Sequence, residues 1–149
     1  MTLLTVRDLH VTFDTEAGLV EAVRGVSFSL GRERLGIVGE SGSGKTMTGR
    51  SVLRLIRPPG RIEAAEMTFD GIDLMRASEA QMRALRGPRI AMVMQDPKYS
   101  LNPVMRVGAQ LTEGLRQRDR LSAGDARDKA VAALTAVQIR DPGRVMDAF

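Results

Sequence analysis

The sequence predicts an α/β fold with an antiparallel β part first, a phosphate-binding core next and a helical end. Three observations carry this. Apolar and polar residues alternate through the first thirty positions. A glycine-rich loop at 39–46 lies between an apolar run and a helical stretch. From about 104 onward, apolar residues recur at helical spacing.

The elements follow in order. Val11 and Phe13 alternate with polar neighbours, Glu16-Ala17-Gly18 makes a turn before Val20 to Val23, and Val26, Phe28 and Leu30 alternate with Ser27 and Ser29. Leu35-Gly-Ile-Val38 is a short apolar run that reads as a strand stopping at the glycine-rich loop. A helix is expected from about Lys45, with Val52, Leu55 and Ile56 on one face, ended by Pro58-Pro59-Gly60. Met67-Thr-Phe69 and Ile72-Asp-Leu74 flank Asp70-Gly71, a two-residue hairpin signal. Ser78 and Gln81 have capping-box spacing and open a short helix through about Leu85. Ile90 to Met94 reads as a strand covered on both faces. Val107, Leu111 and Leu115 then share a helix face, and Ser122 with Asp125 caps a helix carrying Ala130, Leu134 and Val137. Two strands suited to a buried parallel sheet are too few for a complete layer.

Composition removes several classes. With 149 residues, 43% hydrophobic and 27% charged, the chain is long and apolar enough to bury a core. No apolar stretch reaches bilayer length, and Arg7, Asp8 and His10 interrupt the N-terminus where a signal peptide needs an apolar core, so a cytosolic chain is expected. Without cysteine there is no disulfide and no thiolate metal site. The net charge is +4. The arginines are interspersed with acids, and their densest groups, Arg83/Arg86/Arg89 and Arg116/Arg118/Arg120, read as solvated helix faces or partner contacts. Only 3% of residues are aromatic, leaving few stacking platforms, so no nucleic-acid partner is expected.

Gly39-Glu40-Ser41-Gly42-Ser43-Gly44-Lys45-Thr46 fits G-x-x-x-x-G-K-[ST] at every position. Several backbone N–H groups must approach a polyphosphate together, and side chains at 39, 42 and 44 would obstruct them. The start of the following helix adds attraction for the anion. Lys45 supplies an ammonium for the β- and γ-phosphates, and the Thr46 hydroxyl is placed to ligate Mg²⁺. Small-molecule kinases, GTPases and transport ATPases share this loop. By pattern alone Asp96, after the 90–95 run, is the candidate metal-holding acid, although Gln95 interposes and Pro97 follows at once.

Three blocks, Gly36-Ile-Val-Gly-Glu-Ser-Gly-Ser-Gly-Lys-Thr46, Phe69-Asp-Gly-Ile-Asp-Leu74 and Met94-Gln-Asp-Pro-Lys-Tyr-Ser-Leu-Asn-Pro103, resemble the ATP-binding subunits of ABC importers, most closely the dipeptide/oligopeptide/nickel group. The resemblance covers essentially the whole chain. It implies ATP and Mg²⁺ as cofactors and residues 39–46 as the Walker A loop. Phe13 matches the aromatic that stacks on adenine, although on pattern alone it reads as core. Gln95 matches the Q-loop glutamine that reaches the Mg²⁺ and the attacking water, which leaves Asp96 inside the Q-loop. Gln95 and Lys45 are thus the implied catalytic residues, and Thr46 and Gln95 the implied metal contacts. Residues 97–103 would begin the surface that meets the membrane permease subunits. A second ATP-binding subunit would complete a homo- or heterodimer on the inner face of the cell membrane. Tyr99 reads as loop packing and His10 as structural or exposed.

The implied layout is a P-loop NTPase core of ABC-ATPase type. Residues 1–34 form an antiparallel β part, 35–103 the P-loop core to the Q-loop, and 104–149 the start of a helical subdomain. The family's LSGGQ-type signature, Walker B strand, D-loop and switch histidine do not occur in these 149 residues. The expected reading is therefore the N-terminal part of an ATPase that energises uptake of peptides or nickel, without turnover by itself. A stand-alone nucleotide-binding module and an unrelated P-loop kinase or GTPase using Asp96 remain the alternatives. The incomplete sheet also predicts exposed apolar edges and marginal stability or self-association.

Overall fold

A computed structural model describes residues 2–94 and 101–149. The chain divides into two compact units, Met1–Met92 and Val93–Phe149.

The first unit is built on one antiparallel sheet. Strands β1 (Leu4–Thr15) and β2 (Gly18–Leu30) pair along their length, from Leu4↔Leu30 to Thr15↔Gly18. The other edge of β1 is shared. Its first half pairs with β4 (Glu66–Phe69), Leu4 opposite Phe69, and its second half with β3 (Gly60–Glu63), Phe13 opposite Gly60. Strand β5 (Ile72–Asp73) returns on β4. The turn between them has positive φ at both central residues, 48° at Asp70 and 78° at Gly71, which is the type I′ geometry that the Asp-Gly pair predicts.

Strict alternation fails in β1 at one place, and that place explains its buried face. Asp8 has φ 50° and the register slips between Val6 and Leu9. The extra residue lets Val6, Leu9 and Val11 all reach the core, each fully buried, though they are not all an even number apart. Met67 and Phe69 of β4, with Leu74, Met82 and Leu85, close the cluster.

Helix α1 (Lys45–Val52) follows the glycine-rich loop and α2 (Glu79–Leu85) follows the hairpin. The capping box at α2 forms as its sequence predicts. The Gln81 amide donates to Ser78 Oγ (3.3 Å) and the Ser78 amide to Gln81 Oε1 (2.8 Å).

Three expectations are corrected. Helix α1 ends at Val52, short of the proline pair, because Arg54 adopts φ 51° and the Leu55 and Arg54 amides fold back onto the Arg50 and Ser51 carbonyls. This is a Schellman ending with arginine where glycine is usual. Residues 35–38 form no strand, and in the 90–94 run Ile90 makes only an isolated bridge to Arg86. A strand exists only when a neighbour takes its hydrogen bonds, and among the described residues none does so for either run. Nor is the Arg83/Arg86/Arg89 group simply solvated. The Arg86 side chain is 23% exposed, and Arg89 pairs with Asp70 (2.6 Å) and lies over the Phe69 ring.

Among its described residues the second unit has helices α3 (Val107–Asp119), α4 (Ala123–Ala136) and α5 (Pro142–Asp147). Gly108 is buried because α5 leaves no room for a side chain: a Cβ there would stand 2.6 Å from the Met146 carbonyl oxygen. Ala126, Ala130 and Met146 complete a small interior. Ser122 caps α4 by accepting from the Asp125 amide, as expected, and Asp141 caps α5 ahead of Pro142. Leu111 and Leu115 are half-buried, whereas Val137 is exposed.

Candidate functional site

The glycine-rich loop leads directly into α1. Gly44 is its N-cap, with φ 87°, and a Cβ there would stand 2.5 Å from the Ala22 carbonyl oxygen of β2. Only glycine fits both the conformation and the approach. The loop is thereby seated on the sheet at Ala22 and Val23. Thr48, buried one turn into α1, donates its hydroxyl back to the Gly44 carbonyl (3.1 Å) and fixes the loop's exit.

Gly44 offers no side chain to cap the helix, and the first turn of α1 carries no acid. The leading N–H groups of a helix have no partner within it, and the helix dipole gives that end positive character. The arrangement suits an anion.

Lys45 curls over the same loop. Its Nζ donates to the carbonyl oxygens of Gly39 (2.7 Å) and Glu40 (2.6 Å) and to Ser43 Oγ (3.2 Å). The Ser43 amide in turn reaches the Glu40 carbonyl, closing a turn inside the loop. The ammonium is held by neutral acceptors, and an anionic acceptor in their place would add direct charge–charge attraction. Glu40, Ser41, Gly42 and Thr46 are exposed around it, so the loop is open to solvent.

Phe13 is half-buried at the margin of the core. Its ring edge lies against Gly60, where a Cβ would meet Phe13 Cε1 at 2.6 Å and Ile56 Cγ2 at 2.5 Å. Val11, two residues earlier, pairs with Val23. The register therefore brings Phe13 and the loop to the same end of the sheet. Gln95 and residues 96–100 lie outside the described residues, so 39–46 and Phe13 are the part of the expected site that the structure locates.

Sequence reasoning missed the residues behind the loop. Thr48 and Ser51 look like ordinary polar positions, yet both are buried and bond back to carbonyls of their own helix. Their spacing with Val52 was the available signal. Arg54 and Arg86, which fasten the far end of α1, have no local signature.

A cavity of about 270 Å³ lies beneath α1, bounded by Leu30, Leu35, Lys45, Val52 and Met92 among others. Its lining is mostly apolar, and it borders the two apolar runs that form no strands. Among the described residues no helix is long and apolar enough to cross a membrane.

The chain is 45% identical over 149 residues to the oligopeptide transport ATP-binding protein OppD of Bacillus subtilis, covering 99% of this chain and 42% of that protein. It is 43% identical over 148 residues to OppD of Escherichia coli, covering 99% and 44%, and 43% identical over 143 residues to the dipeptide transport ATP-binding protein DppD of B. subtilis, covering 95% and 43%. The chain thus spans less than half the length of these curated relatives. Among solved structures, the dimeric bacterial ABC transporter cassette MJ0796 superposes with a TM-score of 0.74 at 19% identity, over 98% of this chain and 61% of that one. A second structure of that cassette, a post-hydrolysis dimer bound to ADP and Pi, gives a TM-score of 0.71 at 18% identity. These likenesses show the shared α/β cassette fold. The family model described as ABC transporter matches residues 23–147, the larger part of the sequence, and the chain therefore belongs to the ABC transporter family.

Proposed function

We propose that this chain is the nucleotide-binding part of an ATP-binding subunit that energises peptide import. The observation that carries the reading is Lys45. Its ammonium is gathered by loop acceptors directly above the uncapped start of α1, in a loop that only glycine at 44 allows to rest on the sheet.

In this reading ATP enters with its phosphates along 39–46. Lys45 exchanges the Gly39 and Glu40 carbonyls for β- and γ-phosphate oxygens, and the leading amides of α1 bind the same anion. Thr46 would hold Mg²⁺, which supplies neutralisation of the phosphate charge. Phe13 would stack on adenine, and Gln95 would reach the Mg²⁺ and the attacking water. The peptide assignment is supported by the names of the relatives, which are peptide-transport ATP-binding proteins at 43–45% identity. The permease would be met through the region after Gln95, at the inner face of the cell membrane, and a second ATP-binding subunit would complete each site.

The direct test is calorimetry with Mg-ATP and Mg-ADP on the wild type and on Lys45→Ala. Losing charge-assisted bonds to phosphate should weaken binding by roughly tenfold or more. Equal affinity in the two proteins overturns the phosphate-loop assignment. In the source cell, Lys45→Ala should abolish uptake of labelled short peptides. Undiminished peptide uptake would sink the transport assignment alone.

A further inference from the structure

Two arginines behind the phosphate loop make a reciprocal connection. Arg54, just past the end of α1, donates through Nη1 to the Leu74 and Ala77 carbonyls between β5 and α2. Arg86, the C-cap of α2, reaches the opposite way. Its Nε donates to the carbonyl of Leu53 (2.8 Å), the C-cap of α1, and its Nη2 to the carbonyl of Arg54 (3.4 Å), the next residue. Glu79, at the start of α2, holds the remaining face of that guanidinium at 2.6 Å.

This is more than a surface ion pair. The last carbonyls of a helix lack partners and carry negative character, so a planar, permanently charged donor is suited to them. The backbone of Arg54 is left-handed, a conformation unfavourable for any residue with a Cβ. Its side-chain bonds to the β5–α2 connection offset that cost.

What Arg86 is attached to matters as much. It begins a tight knot in which the Arg89 and Ile90 amides donate to the Leu85 carbonyl and the Gly87 amide donates to the Ile90 carbonyl. From that knot the chain runs straight into 91–94. Helix α1 thus carries the phosphate loop at one end, and at the other the Arg86 side chain hydrogen-bonds it to the 86–90 knot.

We propose that Arg86, held by Glu79, is a positioning residue that couples the state of the phosphate loop to the 86–90 knot through the C-terminal end of α1. The proposal rests on the nucleotide reading above and adds to it a route by which ligand occupancy at 39–46 reaches the 86–90 knot. Without Arg86 the helix keeps its Schellman ending and its Arg54 anchor, so loop and knot both persist but lose the hydrogen bonds that join them.

Residue-resolved hydrogen exchange on the full 149-residue chain, with and without Mg-ADP, tests this. In the wild type, ligand should slow amides in 39–48 and also Gly87, Arg89 and Ile90, the latter by about threefold or more. In Arg86→Gln the slowing at 39–48 should remain while that at Gly87, Arg89 and Ile90 disappears. Arg86→Lys keeps the charge but not the planar fork, and should retain part of the knot response. Glu79→Gln, an exposed and mild change that preserves the fold, should reduce that response less than Arg86→Gln does. A purely structural role would speed exchange in both ligand states and leave the ligand-induced difference intact, and that result overturns the proposal. A wild type that is slowed at 39–48 but not at the knot overturns it too. No slowing at 39–48 in the wild type, matched by Lys45→Ala, overturns the nucleotide reading and the coupling with it.

Discussion

Val6 and Val38 are the same residue in two short apolar segments, yet Val6 is fully buried and Val38 is 93% exposed. Val6 lies in β1, which has β2 on one side and β4 on the other. Val38 ends the 35–38 run, which has no partner strand among the described residues. The 91–94 run repeats the case, with Val93 as exposed as Val38. Hydrophobicity marks a segment as able to be a buried strand, and a partner for its backbone makes it one. Both unpaired runs border the phosphate loop or the knot, whereas the paired sheet lies beneath the loop and holds it.

The largest expected effect tests this contrast directly. Leu9→Ala, at a fully buried position in the middle of β1, should cost about 2–5 kcal/mol in urea unfolding. Val38→Ser should fall within about 0.5 kcal/mol of wild type. A Val38→Ser cost comparable to that of Leu9→Ala would mean that the 35–38 run is packed in solution and that the contrast is wrong.

Gly44→Ala probes the seam between the two regions. The substitution places a methyl group 2.5 Å from the Ala22 carbonyl at a left-handed φ, so either the loop lifts from β2 or the backbone strains. Strain of this kind costs on the order of 1–3 kcal/mol. Nucleotide affinity should fall with it, because the amides that end the loop are displaced. The stability loss separates this variant from Lys45→Ala, which should leave unfolding nearly unchanged. Wild-type affinity and wild-type stability together in Gly44→Ala would show that the loop is not seated on the sheet.

What the sequence made legible was local. The Asp70-Gly71 turn, the Ser78/Gln81 capping box and the Ser122 cap each state their geometry within a few residues, and each formed. The failures needed information from far along the chain. Residues 35–38 and 90–94 read as strands because their composition is right, but a strand also needs a neighbour that composition does not reveal. The end of α1 was misplaced because Arg54 can hold a left-handed backbone only with the Leu74 and Ala77 carbonyls some twenty residues away. Arg86 was grouped with solvated charge for the same reason: its acceptors are at Leu53 and Arg54. Phe13 was open between core and ligand contact, and the structure leaves it at the margin, half-buried against Gly60.

The smallest expected effect is the acid response of the clamp that joins these regions. The hydrogen bond from Arg86 holds the Glu79 carboxyl below its ordinary value near 4.5, with the Arg86 charge adding to it. A carboxylate that is more acidic in the folded chain stabilises it fully above its unfolded pKa. As pH falls, the unfolded chain takes up the proton first, so the contribution shrinks through the interval down to the folded value and is absent below both. In the second unit Asp119, held low by Arg118 and Lys129, adds an acid-labile contribution of the same sign. The melting temperature of the wild type should therefore drop between pH 5 and pH 3 slightly more than that of Glu79→Gln, whose amide cannot titrate. Glu79 is exposed and screened, so the difference should be small and should shrink further at high salt. If Glu79→Gln has the steeper acid dependence, Glu79 is not the partner that holds Arg86 on the end of α1, and the seam between sheet and loop depends on the carbonyl contacts alone.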